Sequence, residues 1–460
     1  MNSLDLSDIQ GYVIRGYRFP VACFVFAKFE RIAAARAFVR ALLPKVTTAA
    51  LWENGKPDAT LNIAFTYSGL SALGLPATSL VTFPVEFQQG MKVRADILND
   101  IGANAPERWD ALWKNEVHAW IAIHAQTPAI REAEFAQLEA LARESGAVTL
   151  AGRDDGGLLF IDGKPTAKEH FGYTDGIGNP DFDGAEKDAP PGRGKLALGP
   201  GWKPLATGEF LLGYADEAEE LPPAPWPDPL AKNSTFMVYR KLRQNVSTFR
   251  EYLDEMSSLY DGGKEKLAAK LVGRWRDGTP LELSPESADA ELAADTARNN
   301  DFSYSADTAG TRCPFGAHIR RTNPRNAAGF NGALSNRRRV IRRGLPYGSY
   351  VPEGQPIDEA EERGILFMAL NASIFRQFEF VQQQWVEYGN DAHQGNDKDP
   401  LSGNHGGSGR FVVQGDADEK NPPFICGHLP TFVELRGGDY FFMPGLTALR
   451  MIAAGMIDPR

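Results

Sequence analysis

The sequence predicts an α+β fold made of two ferredoxin-like units, each an antiparallel sheet flanked by helices. Three observations carry this. Apolar runs in the first 152 residues follow the order strand, helix, strand, strand, helix, strand, the split βαβ pattern. A similar alternation restarts near residue 235. The chain, at 460 residues, is also too long for one ordinary core.

The elements follow in order. Val21 to Phe29 (VACFVFAKF) is short, apolar and rich in β-formers, so it reads as a buried strand. Arg31 to Leu43 has helical spacing and stops at Pro44. Leu61 to Tyr67 reads as a strand, with a short helical stretch around Leu70 to Leu75. His118 to Gln126 alternates as a strand, and Pro128 to Glu144 is a helix with Thr127 as N-cap. Val148 to Gly152 begins the fourth strand. From Asp154 to Pro229 Gly, Pro and Asp dominate, which predicts irregular connection with one short strand at Glu209 to Tyr214. Thr235 to Leu242 and Gly364 to Ala372 are strands, followed by helices at Val246 to Tyr260 and Ile374 to Tyr388. Phe411 to Gln414 and Phe432 to Met443 close the chain as strands, and a long insertion fills 262–363. The expected division is 1–185, an irregular connection 186–234, and 235–460.

Composition narrows the function. Acidic residues exceed basic ones by 59 − 49 = 10, which disfavours general nucleic-acid binding. Cys23, Cys313 and Cys426 are too few and too scattered for a disulfide framework or a zinc site. Neither a signal-peptide pattern nor an apolar run of 18 residues is readable, so the expectation is a cytoplasmic protein without membrane contact.

Three stretches could carry chemistry. In Phe171 to Gly184 (FGYTDGIGNPDFDG), glycines surround Asp175, and neither the EF-hand order nor a phosphate-binding fingerprint is present. Asp175 therefore sits on a tight backbone that can approach something bulky and flat. In Arg312 to Arg325 (RCPFGAHIRRTNPR), His318 lies among apolar residues. Read alone it is an ordinary core histidine. It has no partner ligand at helical spacing, which disfavours zinc, but a single histidine suffices for a haem iron. Arg320, Arg321 and Arg325 could then pair with two propionates. The run Arg337 to Tyr347 (RRRVIRRGLPY) is either a solvated or nucleic-acid-binding face, or a fixed loop with an arginine pointing inward.

Together these stretches resemble the dye-decolorizing peroxidases, the DyP-type haem peroxidases, over most of the chain. The resemblance rests on Leu6 to Gly11, Asn62 to Thr66, the G-x-x-D-G signature Gly172 to Gly176, Cys313 to Arg320, Arg342 to Gly348 and Arg363 to Phe367. The length and insertions look like the longer members of that family.

The resemblance implies one haem b per chain, held in the C-terminal domain. It implies His318 as the iron ligand, with Asp399 accepting its other ring proton, although Asp391 and Asp397 lie near in sequence. It implies Asp175 as the acid–base catalyst and Arg342 as the stabiliser of charge during O–O cleavage. Ile365 and Phe367 match residues lining the peroxide side, or are plain core, and Arg325 is the first propionate partner with Arg320 second. An aspartate, with a reference pKa of about 3.9, suits an acidic optimum. Hydrogen peroxide and bulky aromatic reductants such as dyes or phenols are the implied partners, with Trp385, Tyr347 and Tyr388 conceivable in electron transfer, and a homodimer would be unsurprising. Rival readings are a haem-binding or delivery protein without turnover, and another haem enzyme on the same scaffold.

Overall fold

The structure is a computed structural model and describes residues 4–185, 190–197, 199, 201–416 and 421–457. The first unit contains β1 (Val21–Phe29), α1 (Ile32–Leu42), β2 (Ala59–Phe65), β3 (Ala119–Ala125), α2 (Pro128–Ser145) and β4 (Val148–Gly157). The second contains β5 (Thr235–Gln244), α3 (Val246–Ser257), β6 (Ile341–Arg342), β7 (Leu345–Tyr347), β8 (Gly364–Asn371) and β9 (Val433–Met443). Strand order is β4-β1-β3-β2 in the first and β9-β5-β8-β6 in the second, so the same antiparallel arrangement occurs twice. The two join edge to edge where Phe442 of β9 pairs with Phe65 of β2.

Local chemistry accounts for the elements. β1 is apolar from Val21 to Ala27, in keeping with burial on both sheet faces. α1 buries Ala34, Ala35, Phe38, Val39 and Leu42 and exposes its arginines' side. Thr127 caps α2, its hydroxyl accepting from the Ile130 amide at 3.2 Å, and Gly146 ends the helix in the left-handed conformation at φ 67°.

The joined sheet curls until β4 meets β7. A Cβ at Gly156 would stand 3.1 Å from Leu366 and 3.2 Å from the Pro346 carbonyl, so the close approach needs glycine there. The enclosed space is filled by aromatic rings. Trp120 stacks on Phe24 with centroids 5.7 Å apart, and Tyr239 of β5 stacks on Trp113 at 5.5 Å. Tyr239 also donates to Asp154 of β4 at 2.8 Å, which ties the second unit across the enclosed space to the first.

Three sequence expectations are corrected. Glu209 to Tyr214 is not a strand. Glu209 ends a 3-10 turn and is fully buried, its carboxylate held by Arg376 at 2.7 and 2.9 Å and its carbonyl taken by the Ala372 amide. The stretch expected as one α-helix from Ile374 to Tyr388 is π-helical at Ile374–Glu379 and Val381–Val386. Amphipathic spacing over so few turns does not separate the two closures. The Phe411 strand, observed as Gly409–Val413, has a partner that sequence reading missed, Phe424–Leu429.

Two predictions follow from buried charge. Arg94 grips Glu379 through two bonds of 2.5 and 2.6 Å, and Tyr440 donates to the same carboxylate at 2.8 Å. Arg94→Met leaves that carboxylate buried without its cation and is expected to cost about 3–5 kcal/mol in chemical denaturation. His124 sits among Tyr12, Tyr17 and Phe24, and burial, reinforced by the charges of Arg343 and Lys56, pushes it down to about 3. It stays neutral in the folded chain while the unfolded chain takes a proton below about 6.5. Stability is therefore lost as pH falls through that window, and His124→Gln should flatten the acid slope of a thermal-melt series.

Candidate functional site

Side-chain alternation on β5 gives the second unit two different faces. Tyr239 and Lys241 point into the aromatic interior, where Lys241 pairs with Asp110 and Asp154. Arg240, Leu242 and Gln244 line a cavity of about 340 Å³ on the other side. Their cross-strand neighbours Phe367 and Ile365 of β8 and Leu435 and Val433 of β9 line it too. Ile365 and Phe367 are thus half-buried wall residues of the cavity. The π-helical segment adds Phe378, Val381, Gln382 and Val386.

His318 opens a five-residue helix, α4 (His318–Thr322), directly after Gly316 and Ala317. Its ring is 24% exposed, and that exposure is to the cavity. Nδ1 lies 3.0 and 3.1 Å from the two oxygens of Asp399, while no hydrogen bond of Nε2 is found among the described residues. Asp399 is completely buried and also accepts from the Leu401 and Ser402 amides and the Ser402 hydroxyl. Burial alone would lower the His318 pKa; the Asp399 charge and hydrogen bond outweigh it and raise it. Burial alone would raise Asp399; His318, Arg321 and the Ser402 amide outweigh that and hold its carboxyl well below the usual range. The other two carboxylates considered lie elsewhere: Asp397 pairs with Arg410, and Asp391 accepts from Trp385.

Asp175 enters the same cavity from a loop that is unusually constrained. Gly172 and Gly176 take φ of 94° and 82°, which an L side chain resists. Glu169 lies under the loop, accepting from the Phe171 and Tyr173 amides at 2.8 Å and from Gln244 at 2.5 Å. Asp175 Oδ1 accepts from the Gly176 amide and stands 3.3 Å from Arg342 Nη1. Oδ2 accepts no hydrogen bond among the described residues. Arg342 sits on β6 and is fixed by Asn179, whose amide accepts from the Arg342 N–H at 2.9 Å and donates to its carbonyl at 3.1 Å. That side chain acts as a strand partner, locking the Asp175 loop to the arginine.

The cavity also holds cations without anions. Arg274, Arg325 and Arg339 are buried in its wall and donate to carbonyl and amide oxygens, with no carboxylate bonded to them among the described residues. Arg274 and Arg325 even share one acceptor, the Asn300 side-chain oxygen, at 2.9 and 2.6 Å. Burial pushes Arg274 and Arg325 down to about 10 and Arg339 to about 9. The buried Asn300 amide nitrogen has no hydrogen-bond partner among the described residues. Such a wall suits an occupant with carboxylates. A lone imidazole backed by a carboxylate suits an iron whose remaining in-plane ligands come from a macrocycle. The residues therefore fit haem.

Arg320, expected as the second propionate partner, is corrected. It is buried away from the cavity, bonded to Asp307 and to the Cys313 carbonyl and packed over Tyr304 and Phe315. Sequence reasoning missed Glu169, Asn179 and Arg274. Asn179 carried the only readable hint, lying four residues beyond Asp175 before a proline.

The chain is similar to known proteins over nearly its whole length. Residues 8–152 match the family model described as the DyP dimeric alpha+beta barrel domain. The chain is 31% identical to Peroxidase 2 of Mycetinis scorodonius, over 97% of this chain and 87% of the relative. It is 32% identical to the multifunctional dye peroxidase DyP2 of an Amycolatopsis species, over 97% and 96%. Among solved structures, an ancestral D-type dye-decolorizing peroxidase superposes with TM-score 0.83 at 29% identity, covering 97% of this chain and 99% of its own. A dye-decolorizing peroxidase in complex with 2,6-dimethoxyphenol gives 0.81 at 27%, covering 98% and 100%. Full-length similarity of this kind, on a fold that brings the signature residues to one cavity, places the chain in a family of haem peroxidases: it belongs to the dye-decolorizing peroxidases.

Proposed function

We propose that this chain binds one haem b in the cavity of its second unit, reduces hydrogen peroxide there and oxidises dyes, phenols or similar bulky aromatic molecules. The observation that carries this reading is the convergence of His318, Asp175 and Arg342 on one cavity. The division at 185 and 235, a homodimer and a cytoplasmic setting belong to the same proposal. All three cysteines are free and buried, which suits a reducing compartment, and no helix among the described residues is long and apolar enough to cross a membrane.

The residues take the following roles. His318 would hold the iron through Nε2, with Asp399 keeping the proton on Nδ1, which fixes the ring and would make it a stronger donor. Arg325, Arg274 and Arg339, which line the cavity, would hold the two propionates. When bound, haem would supply the redox-active iron through which the oxidising power of peroxide reaches the reductant.

The chain's own groups manage the proton. Asp175 takes it from one peroxide oxygen through the unengaged Oδ2 and returns it to the other, which departs as water. Arg342 faces the negative charge that grows as the O–O bond breaks, already oriented and partly shielded from solvent. Glu169 and Asn179 keep the two side chains at this spacing. A carboxylic group in the acid–base role stays ionised at lower pH than an imidazole would, which is the basis for an acidic optimum. Leu242, Ile365, Phe367 and Leu435 make the surrounding wall apolar and limit competing water.

Two experiments test these roles. His318→Ala should lose the Soret band on reconstitution with haem, and full occupancy in that variant would remove His318 as ligand. Asp175→Asn and Arg342→Leu should keep the band but react with peroxide at least roughly 100-fold more slowly in stopped flow. Parental rates in both would reject the assigned acid–base pair.

A further inference from the structure

The helix that carries His318 is only five residues long and has no side-chain N-cap. Such a segment does not hold its own conformation in water, so the direction of the imidazole must be imposed from outside. Asp399 supplies one restraint through Nδ1. Asp399 itself lies at the end of an irregular stretch after the π-helical segment, so it too must be held.

Arg321 addresses both problems. It stands three residues after His318 on α4, is 2% exposed and is absent from the cavity wall. Its donors go to three backbone carbonyls of the segment that ends in Asp399. Nε donates to Trp385 at 2.7 Å, Nη1 to Asp397 at 2.8 Å, and Nη2 to Tyr388 and Asp397 at 2.9 Å. The Asp399 amide closes the arrangement by donating to the Val386 carbonyl at 2.7 Å. No carboxylate is bonded to Arg321 among the described residues, and burial lowers its pKa, partly offset by the charges of Asp399, Asp397 and Glu387. A buried guanidinium satisfied only by carbonyls is a costly way to fill space.

We propose that Arg321 is the positioning residue of the proximal site: it fixes the Asp399 carboxylate relative to His318 and thereby sets how strongly the imidazole donates. The proposal rests on His318 as the iron ligand. Arg321 acts through Asp399 and does not touch the cofactor. Lysine cannot replace it fully, because an ammonium lacks the planar fork that spans three carbonyls.

The test compares haem-loaded full-length Arg321→Gln, Arg321→Lys, Asp399→Asn and the double variant Arg321→Gln/Asp399→Asn. Ferric/ferrous midpoint potential and the iron–imidazole stretching frequency are measured for each. Loss of a positive charge alone would lower the potential, whereas a loosened carboxylate weakens the imidazole and raises it. The expected result is a raised potential and a lowered frequency in Arg321→Gln, in the direction of Asp399→Asn, with the double variant shifted no further than Asp399→Asn alone. Arg321→Lys keeps the charge and should still show the rise, so it carries the test if Arg321→Gln fails to fold. A lowered or unchanged potential in the Arg321 variants, or additive shifts in the double variant, would overturn the proposal. If Asp399→Asn itself changes neither quantity, the fault lies instead with the reading of His318 and Asp399.

Discussion

Strand β5 is the partition on which the molecule depends. Its odd residues Tyr239 and Lys241 close the aromatic interior, and its even residues Arg240, Leu242 and Gln244 face the cavity. A slip of one residue would exchange the two sets, placing charged and amide groups in the aromatic packing and a tyrosine in the cavity. The register is held on both sides, by eight residue pairs with β8 and by β9, whose irregularity between Leu435 and Gly437 absorbs a mismatch. Gly437 has φ 137°, and a Cβ there would stand 2.0 Å from Trp113. The place where β9 bends is thus fixed by the bulk of a ring on the other face.

Buried charge around the cavity follows a consistent division. Buried carboxylates that meet an arginine serve the scaffold, as Glu379 with Arg94 and Asp100 with Arg240 do. Asp399 instead meets a ring nitrogen, and Glu169 meets two amides and a glutamine. These two hold the groups facing the cavity, while Arg274, Arg325 and Arg339 have no carboxylate bonded to them among the described residues. The low dielectric that makes the scaffold pairs strong also makes the unneutralised wall costly.

How much of this was legible in the sequence varied with the range of the interaction. The longer strands of both units were readable because period and β-former content are local, and β1 was placed at its observed ends, whereas the short β6 and β7 fell inside the stretch read as an insertion. His318, Asp175 and Arg342 were brought together in advance only by resemblance. Each is separately an ordinary histidine, turn aspartate and member of a charge run. Asp399 was preferred to Asp391 and Asp397 only by resemblance, since three carboxylates within nine residues differ only in which way the chain turns them, and the fold turns Asp399 to His318. Arg320 and Arg325 likewise carry the same charge on neighbouring turns, and only packing decides that one meets Asp307 and the other the cavity. The π-helical closure was illegible because it alters hydrogen-bond partners without altering the apolar spacing.

The arginines around Asn300 have a consequence for the chain's life before loading. Two guanidiniums on one amide oxygen, with Arg339 nearby, repel one another at short range in a poorly screened space. On the proposed reading, a dianionic occupant removes that repulsion, so loading adds stability by mass action beyond what its apolar contacts give. The empty chain then opens more often and is the better substrate for proteases. The amount of protein that persists would follow the supply of its cofactor, through degradation of the chains left empty and without any dedicated sensor.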